Sequence, residues 1–146
     1  MNREEIKKIL PHRDPFLLID EVLECEPGHR AKAVWHITEE LSFFRGHFPG
    51  RPILPGVLMA VALAQTGAVA ILQDERFSAR LAVFGGIDRM KFRGMVTPQM
   101  DLVLETEITR LSSVGGKGTG RATVDGKVVC EGEIMFAFAP VEKQND

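Results

Sequence analysis

The segment Gly46-His47-Phe48-Pro49-Gly50 sets one histidine in a loop stiffened by glycine and proline, shortly before a long apolar stretch that opens near Pro55. A stretch of that kind predicts a helix, and the first N–H groups of a helix have no carbonyl one turn back to bond. Near Gly56 these groups lie at the positive end of the helix dipole. There they can polarise a thioester carbonyl and hold the enolate-like charge that forms when a base removes the α-proton. Histidine suits the base role because its pKa lies near working pH. Taken bare the pattern is weak, since a histidine in a tight loop is more often a structural hydrogen-bonder.

Other chemistries find less support. His12, His29, His36 and His47 show no His-x-x-x-His spacing, so no metal site is expected. Cys25 and Cys130 stand far apart without ligand or nucleophile context and read as reduced thiols of a cytoplasmic protein. There is no Gly-x-Ser-x-Gly elbow. The run from Gly115 to Gly120 matches neither the P-loop nor the dinucleotide fingerprint and reads as a flexible hairpin loop. A formal net charge of −2 argues against general nucleic-acid binding, which needs a basic surface. Residues 1–8 contain acids and lack an apolar core, so no export signal is expected.

The elements that must hold the histidine follow from pattern. With 146 residues, 45% hydrophobic and 26% charged, the chain fits one globular domain that gains from oligomerisation. Asn2 and Glu5 can cap a short helix within residues 1–10, which Pro11 ends. Residues 16–23 read as a strand, Pro27-Gly28 as a turn and residues 31–37 as a second strand. Residues 53–72 are twenty without a charge, long enough to raise the question of a bilayer span. Pro52, Pro55 and the polar Gln65-Thr66-Gly67 point instead to a buried helix from about 55 to 73. Strands follow at 80–87 and 89–92, around a Gly85-Gly86 irregularity, and then along Leu102 to Arg110. A hairpin turning at Asp125-Gly126 completes the pattern, and residues 141–146 read as a frayed polar tail. The expected architecture is α+β, with one curved antiparallel sheet wrapped around one long apolar helix.

Four segments carry a resemblance. They are Leu10-Pro11-His12-Arg13-Asp14-Pro15-Phe16-Leu17-Leu18-Ile19-Asp20; Gly46 through Leu58; Ala62-Leu63-Ala64-Gln65; and Gly86-Ile87-Asp88 with Lys91-Phe92-Arg93. Through them the chain resembles the (3R)-3-hydroxyacyl-acyl-carrier-protein dehydratases of type II fatty-acid synthesis over nearly its whole length. The resemblance implies a hot-dog fold, a homodimer or trimer of dimers, and catalysis without metal or cofactor. It makes His47 the catalytic histidine and has the Gly56 N–H bind the thioester carbonyl. From the residues themselves, Phe48 and Phe84 read as core or as lining of an acyl tunnel, and Gly85-Gly86 as a place where backbone can approach a chain closely. The substrate that the resemblance implies is 3-hydroxyacyl-phosphopantetheine on an acyl-carrier protein. Arg51, Lys91 and Arg93 read either as cations that meet that acidic partner or as a solvated charged face.

One position departs from the family. Where the resemblance implies a carboxylate, fourteen residues after the histidine and reaching the partner subunit's active site, this chain has Val61. Asp88, Glu39 and Glu40 are the substitute acids to consider, and Gln65 is not an acid. Two alternatives to the lyase therefore stand: a non-catalytic acyl-thioester-binding or structural partner, and a hot-dog thioesterase. The thioesterase is weakened because that chemistry also calls for a carboxylate.

Overall fold

The computed structural model describes residues 1–139. The expected tail at 141–146 lies outside them. The first element follows its cap: Asn2 accepts from the Glu5 N–H at 2.9 Å while Glu5 accepts from the Asn2 N–H at 3.3 Å, opening helix α1 (Arg3–Lys7). Strands β1 (Glu21–Glu26) and β2 (Arg30–His36) come next, then a 3-10 turn (Ser42–Arg45) and helix α2 (Gly56–Leu72). Strands β3 (Leu81–Phe92), β4 (Asp101–Leu111), β5 (Gly115–Val124) and β6 (Lys127–Ala139) close the chain. All six strands form one antiparallel sheet in the order β1-β2-β4-β5-β6-β3, and α2 touches every one of them. This is the expected α+β hot-dog arrangement.

Helix α2 is buried from Met59 onward except for the half-buried Val61. Each large apolar side chain removed from water there contributes about 1.5–3 kcal/mol, which is why an all-apolar helix takes the centre of the sheet. Its polar groups are satisfied inside the protein. Thr66 Oγ1 donates to the Ala62 carbonyl at 2.9 Å, and Thr106 Oγ1 on β4 donates to the Leu63 carbonyl at 2.7 Å. Among the described residues no helix is long and apolar enough to cross a membrane.

Two expectations are corrected. The apolar residues Leu17 to Ile19 are buried, but the strand starts only at Glu21. The Gln65 side chain takes over this backbone, donating to the Phe16 carbonyl at 2.8 Å and accepting from the Leu18 N–H at 3.0 Å. A side-chain amide has replaced a neighbouring strand. Likewise, Gly115 to Gly120 is not a loop but the first half of β5. Its glycines are needed because neighbours press close. A Cβ on Gly118 would lie 2.7 Å from the Glu107 carbonyl oxygen, and one on Gly115 would overlap the Phe136 carbonyl. The expected irregularity at Gly85-Gly86 is present as a register shift between Phe84 and Gly86, within one continuous strand. The Asp125-Gly126 turn has φ of 50° and 80°, the left-handed pair that a two-residue hairpin needs.

His36 and Asp101 face each other across β2 and β4, with Nδ1 2.6 Å from Oδ1. The bond to Asp101 raises the His36 pKa above its ordinary value. A raised folded-state pKa means the pair stabilises the fold fully below the unfolded histidine pKa, and the contribution disappears as pH rises through the folded value. Asp101→Asn should therefore lower Tm relative to wild type below the ordinary histidine pKa of about 6.5, with the difference shrinking as pH rises through the raised His36 value. Thermal denaturation across that range checks the sign; a gap that widens with pH contradicts it.

Candidate functional site

The 3-10 turn delivers the chain to His47. Both the Gly46 and His47 N–H groups bond the Phe43 carbonyl at 3.1 Å. Phe43 and Phe44 anchor the turn, their rings meeting edge to face at 4.8 Å, with Phe44 buried. Next comes a four-residue turn. The Phe48 N–H bonds the Arg51 carbonyl at 3.1 Å and the Arg51 N–H returns to the Phe48 carbonyl at 2.9 Å. Pro49 sits second and Gly50 third with φ 74°, the residue pair a type II turn requires. The chain then comes back alongside itself. The Ile53 N–H bonds the His47 carbonyl at 3.0 Å, and the Leu54 N–H is held by the Val96 carbonyl at 2.7 Å.

The histidine ring is fixed by the same loop. His47 Nδ1 lies 2.8 Å from the Ile53 carbonyl oxygen, and the ring stacks on Phe48 with centroids 3.9 Å apart. A carbonyl cannot donate, so Nδ1 must carry the hydrogen. In the neutral ring Nε2 is therefore the bare nitrogen, the form a general base needs. Three residues after Ile53, Gly56 opens α2 behind Pro55, and the ring of Phe92 leaves no room for a Cβ there, its Cδ1 lying 2.8 Å from where one would be.

Val61, Phe84 and His12 come together elsewhere. They line a cavity of about 360 Å³ between α2, the amino-terminal segment and β3, with Ala64, Ala68 and Val83 among its other walls. Among the described residues no Asp or Glu lines it, and neither does His47. Asp88 is exposed on β3 opposite Glu133, while Glu39 and Glu40 border a separate hollow beside His36 and Asp101. None of the three substitute acids reaches Val61's cavity. Gly86 packs against Met135, a Cβ there meeting the Met135 methyl at 3.0 Å, and is not a wall of the cavity.

The three expected cations do not converge. Lys91 and Arg93 border a charged groove that includes Arg121 and Glu131, and Arg93 pairs with Glu131 at 3.1 Å. Arg51 stands apart on the His47 loop and is exposed. Burial pushes the Cys130 thiol up to about 11, and Cys25 is raised as well, so neither free cysteine is set up as a nucleophile. His12, which sequence reading placed within the Leu10–Asp20 segment with no site role, joins Val61 and Phe84 in their shared cavity. Its place in the Leu10–Asp20 matching segment was the available signal.

The FabA-like domain family matches residues 10–133. The 3-hydroxyacyl-[acyl-carrier-protein] dehydratase FabZ of Bacillus cytotoxicus is 53% identical over 138 residues, covering 94% of this chain and 96% of its own. The chain belongs to this dehydratase family. The FabZ of Roseiflexus castenholzii is 54% identical over 138 residues, with the same 94% and 96% coverage. Among solved structures, the dehydratase heterocomplex ApeI:P from Xenorhabdus doucetiae superposes with a TM-score of 0.80 at 18% identity, covering 92% of this chain and 91% of that one. At that identity the likeness speaks for the fold alone. Family membership extends across the His47 loop, α2 and most of the sheet.

Proposed function

We propose that this chain dehydrates (3R)-3-hydroxyacyl thioesters, carried on acyl-carrier protein, to trans-2-enoyl thioesters in fatty-acid synthesis. The observation that carries the reading is identity above 50% to FabZ dehydratases across nearly the full length of both chains. His47 supplies the chemistry. Its Nε2 takes the α-proton, and the electron pair moves into the thioester carbonyl, whose oxygen is held by the Gly56 N–H. The pair then returns to form the double bond and expels the 3-hydroxyl. His47 gives the proton back to that departing oxygen, so enoyl thioester and water are the products. One histidine closes the proton balance on a single face of the substrate, without a second acid. Phe48 and Phe84 border the acyl chain, and Lys91 and Arg93, with Arg51 separately on the His47 loop, offer cations to the acidic carrier protein in the cytoplasm.

The working unit in this reading is a homodimer. Among the described residues strand β3 pairs only with β6, leaving its other edge open. Leu81, Val83, Phe84, Ile87 and Phe92 are exposed along it. A long apolar edge is a template for another strand, and a second copy related by a two-fold axis satisfies both edges at once. His47 of one protomer then works against the Val61 wall of the other. Ile87→Lys should shift sedimentation from dimer, or trimer of dimers, toward monomer and lower activity with it. A monomeric wild-type protein with full activity would remove the dimer.

Val61 favours one further reading, a non-catalytic binder of acyl thioesters. Purified protein given 3-hydroxyacyl-carrier thioesters decides between them. Enoyl formation supports the lyase, whereas carrier binding without any enoyl product supports the binder.

A further inference from the structure

The cavity beneath Val61 is apolar almost throughout, and among the described residues His12 is its one titratable wall residue. Gln65 also lines it, but both ends of that amide are engaged with the backbone of Phe16 and Leu18. His12 Nδ1 is sealed from solvent and has no hydrogen-bond partner among the described residues. Burial holds the ring below its ordinary pKa, which favours the neutral form. A neutral imidazole carries one hydrogen, and a buried bare N–H is harder to tolerate than a buried bare lone pair. The hydrogen therefore belongs on Nε2, which makes that nitrogen the one N–H donor the ring can offer a ligand in this cavity.

We propose that His12 is the polar anchor of this cavity, donating Nε2–H to the 3-hydroxyl oxygen of a bound 3-hydroxyacyl chain where Val61 has no polar atom to offer. The proposal rests on the dehydratase reading for the identity of its ligand. An unpaired hydroxyl entering an apolar cavity is penalised, and one that meets a donor is not. His12 thereby selects hydroxylated chains over saturated ones. It also steadies the oxygen that leaves, while the proton itself comes from elsewhere.

The test compares 3-hydroxybutyryl-pantetheine and butyryl-pantetheine, each as the slow-reacting amide, by calorimetry on the full chain. Wild type should bind the hydroxylated amide about three- to tenfold more tightly. His12→Phe keeps the ring's bulk and should erase the preference, raising KM for 3-hydroxyacyl substrate. His12→Gln carries an amide N–H at about the reach of Nε2 and should restore it. If a variant fails to fold, histidine ¹⁵N NMR on wild type still decides, because only the hydroxylated amide should move the His12 Nε2 resonance. Equal selectivity in wild type and His12→Phe overturns the proposal. So does a His12→Gln protein as indiscriminate as His12→Phe, or an unmoved Nε2 signal. A chain that prefers the hydroxylated amide yet never turns over keeps the anchor and loses the dehydratase. The converse result does the opposite.

Discussion

The His47→Asn variant is expected to lose about 10²–10⁴ in kcat for 3-hydroxyacyl-thioester dehydration while unfolding within a few degrees of wild type. The choice of asparagine matters. Its side-chain amide can keep donating to the Ile53 carbonyl, the bond that His47 Nδ1 makes at 2.8 Å. It offers no basic nitrogen where Nε2 stood. His47→Ala removes both functions and costs in addition about 0.5–1.5 kcal/mol of loop stability. If His47 served only to tie the loop, asparagine would preserve turnover and alanine would reduce it. Steady-state assays of enoyl formation, with thermal denaturation of each variant, separate the two roles. Asparagine-level activity equal to wild type sinks the base assignment.

The second large effect runs upward. Val61→Glu should raise kcat by about 10²–10⁴ if a carboxylate at this position assists departure of the hydroxyl. The cavity is suited to such a group. Apolar walls from Ala64, Ala68 and Phe84 disfavour the ionised form, raising the carboxyl pKa and keeping it a proton donor near neutral pH. The same burial should cost about 1–3 kcal/mol of stability. Turnover and denaturation are therefore expected to move in opposite senses. A folded Val61→Glu protein with no gain in rate would mean that hydroxyl departure is already adequately served.

Some of this was legible in sequence, for reasons that can be named. Helix α2 announces itself because a segment apolar on every face has no place except a core or a membrane, and Gln65 and Thr66 count against the membrane. Asp125-Gly126 identifies its hairpin because few residue pairs accept two left-handed conformations in succession. The glycines of β5 misled because glycine marks both a mobile loop and a strand whose neighbours press on it. Only the positions of the Glu107 and Phe136 carbonyls distinguish the two. Residues 16–20 misled because an apolar run says that a segment is buried, not whether its backbone is met by a strand or by Gln65. The His47 loop was visible as a contiguous motif. The His12 cavity was not, since it joins residues 12, 61 and 84, which no local pattern connects.

Strand β3 has a consequence in mass action. Leu81, Val83 and Phe84 are exposed along the strand's open edge and also form part of the cavity wall. In the proposed dimer, whatever occupies that edge reshapes the pocket, and ligand affinity and self-association would be linked equilibria. Substrate then favours assembly as surely as assembly favours substrate. Specific activity would then be a function of protein concentration, expected to fall on dilution even when every protomer stays folded.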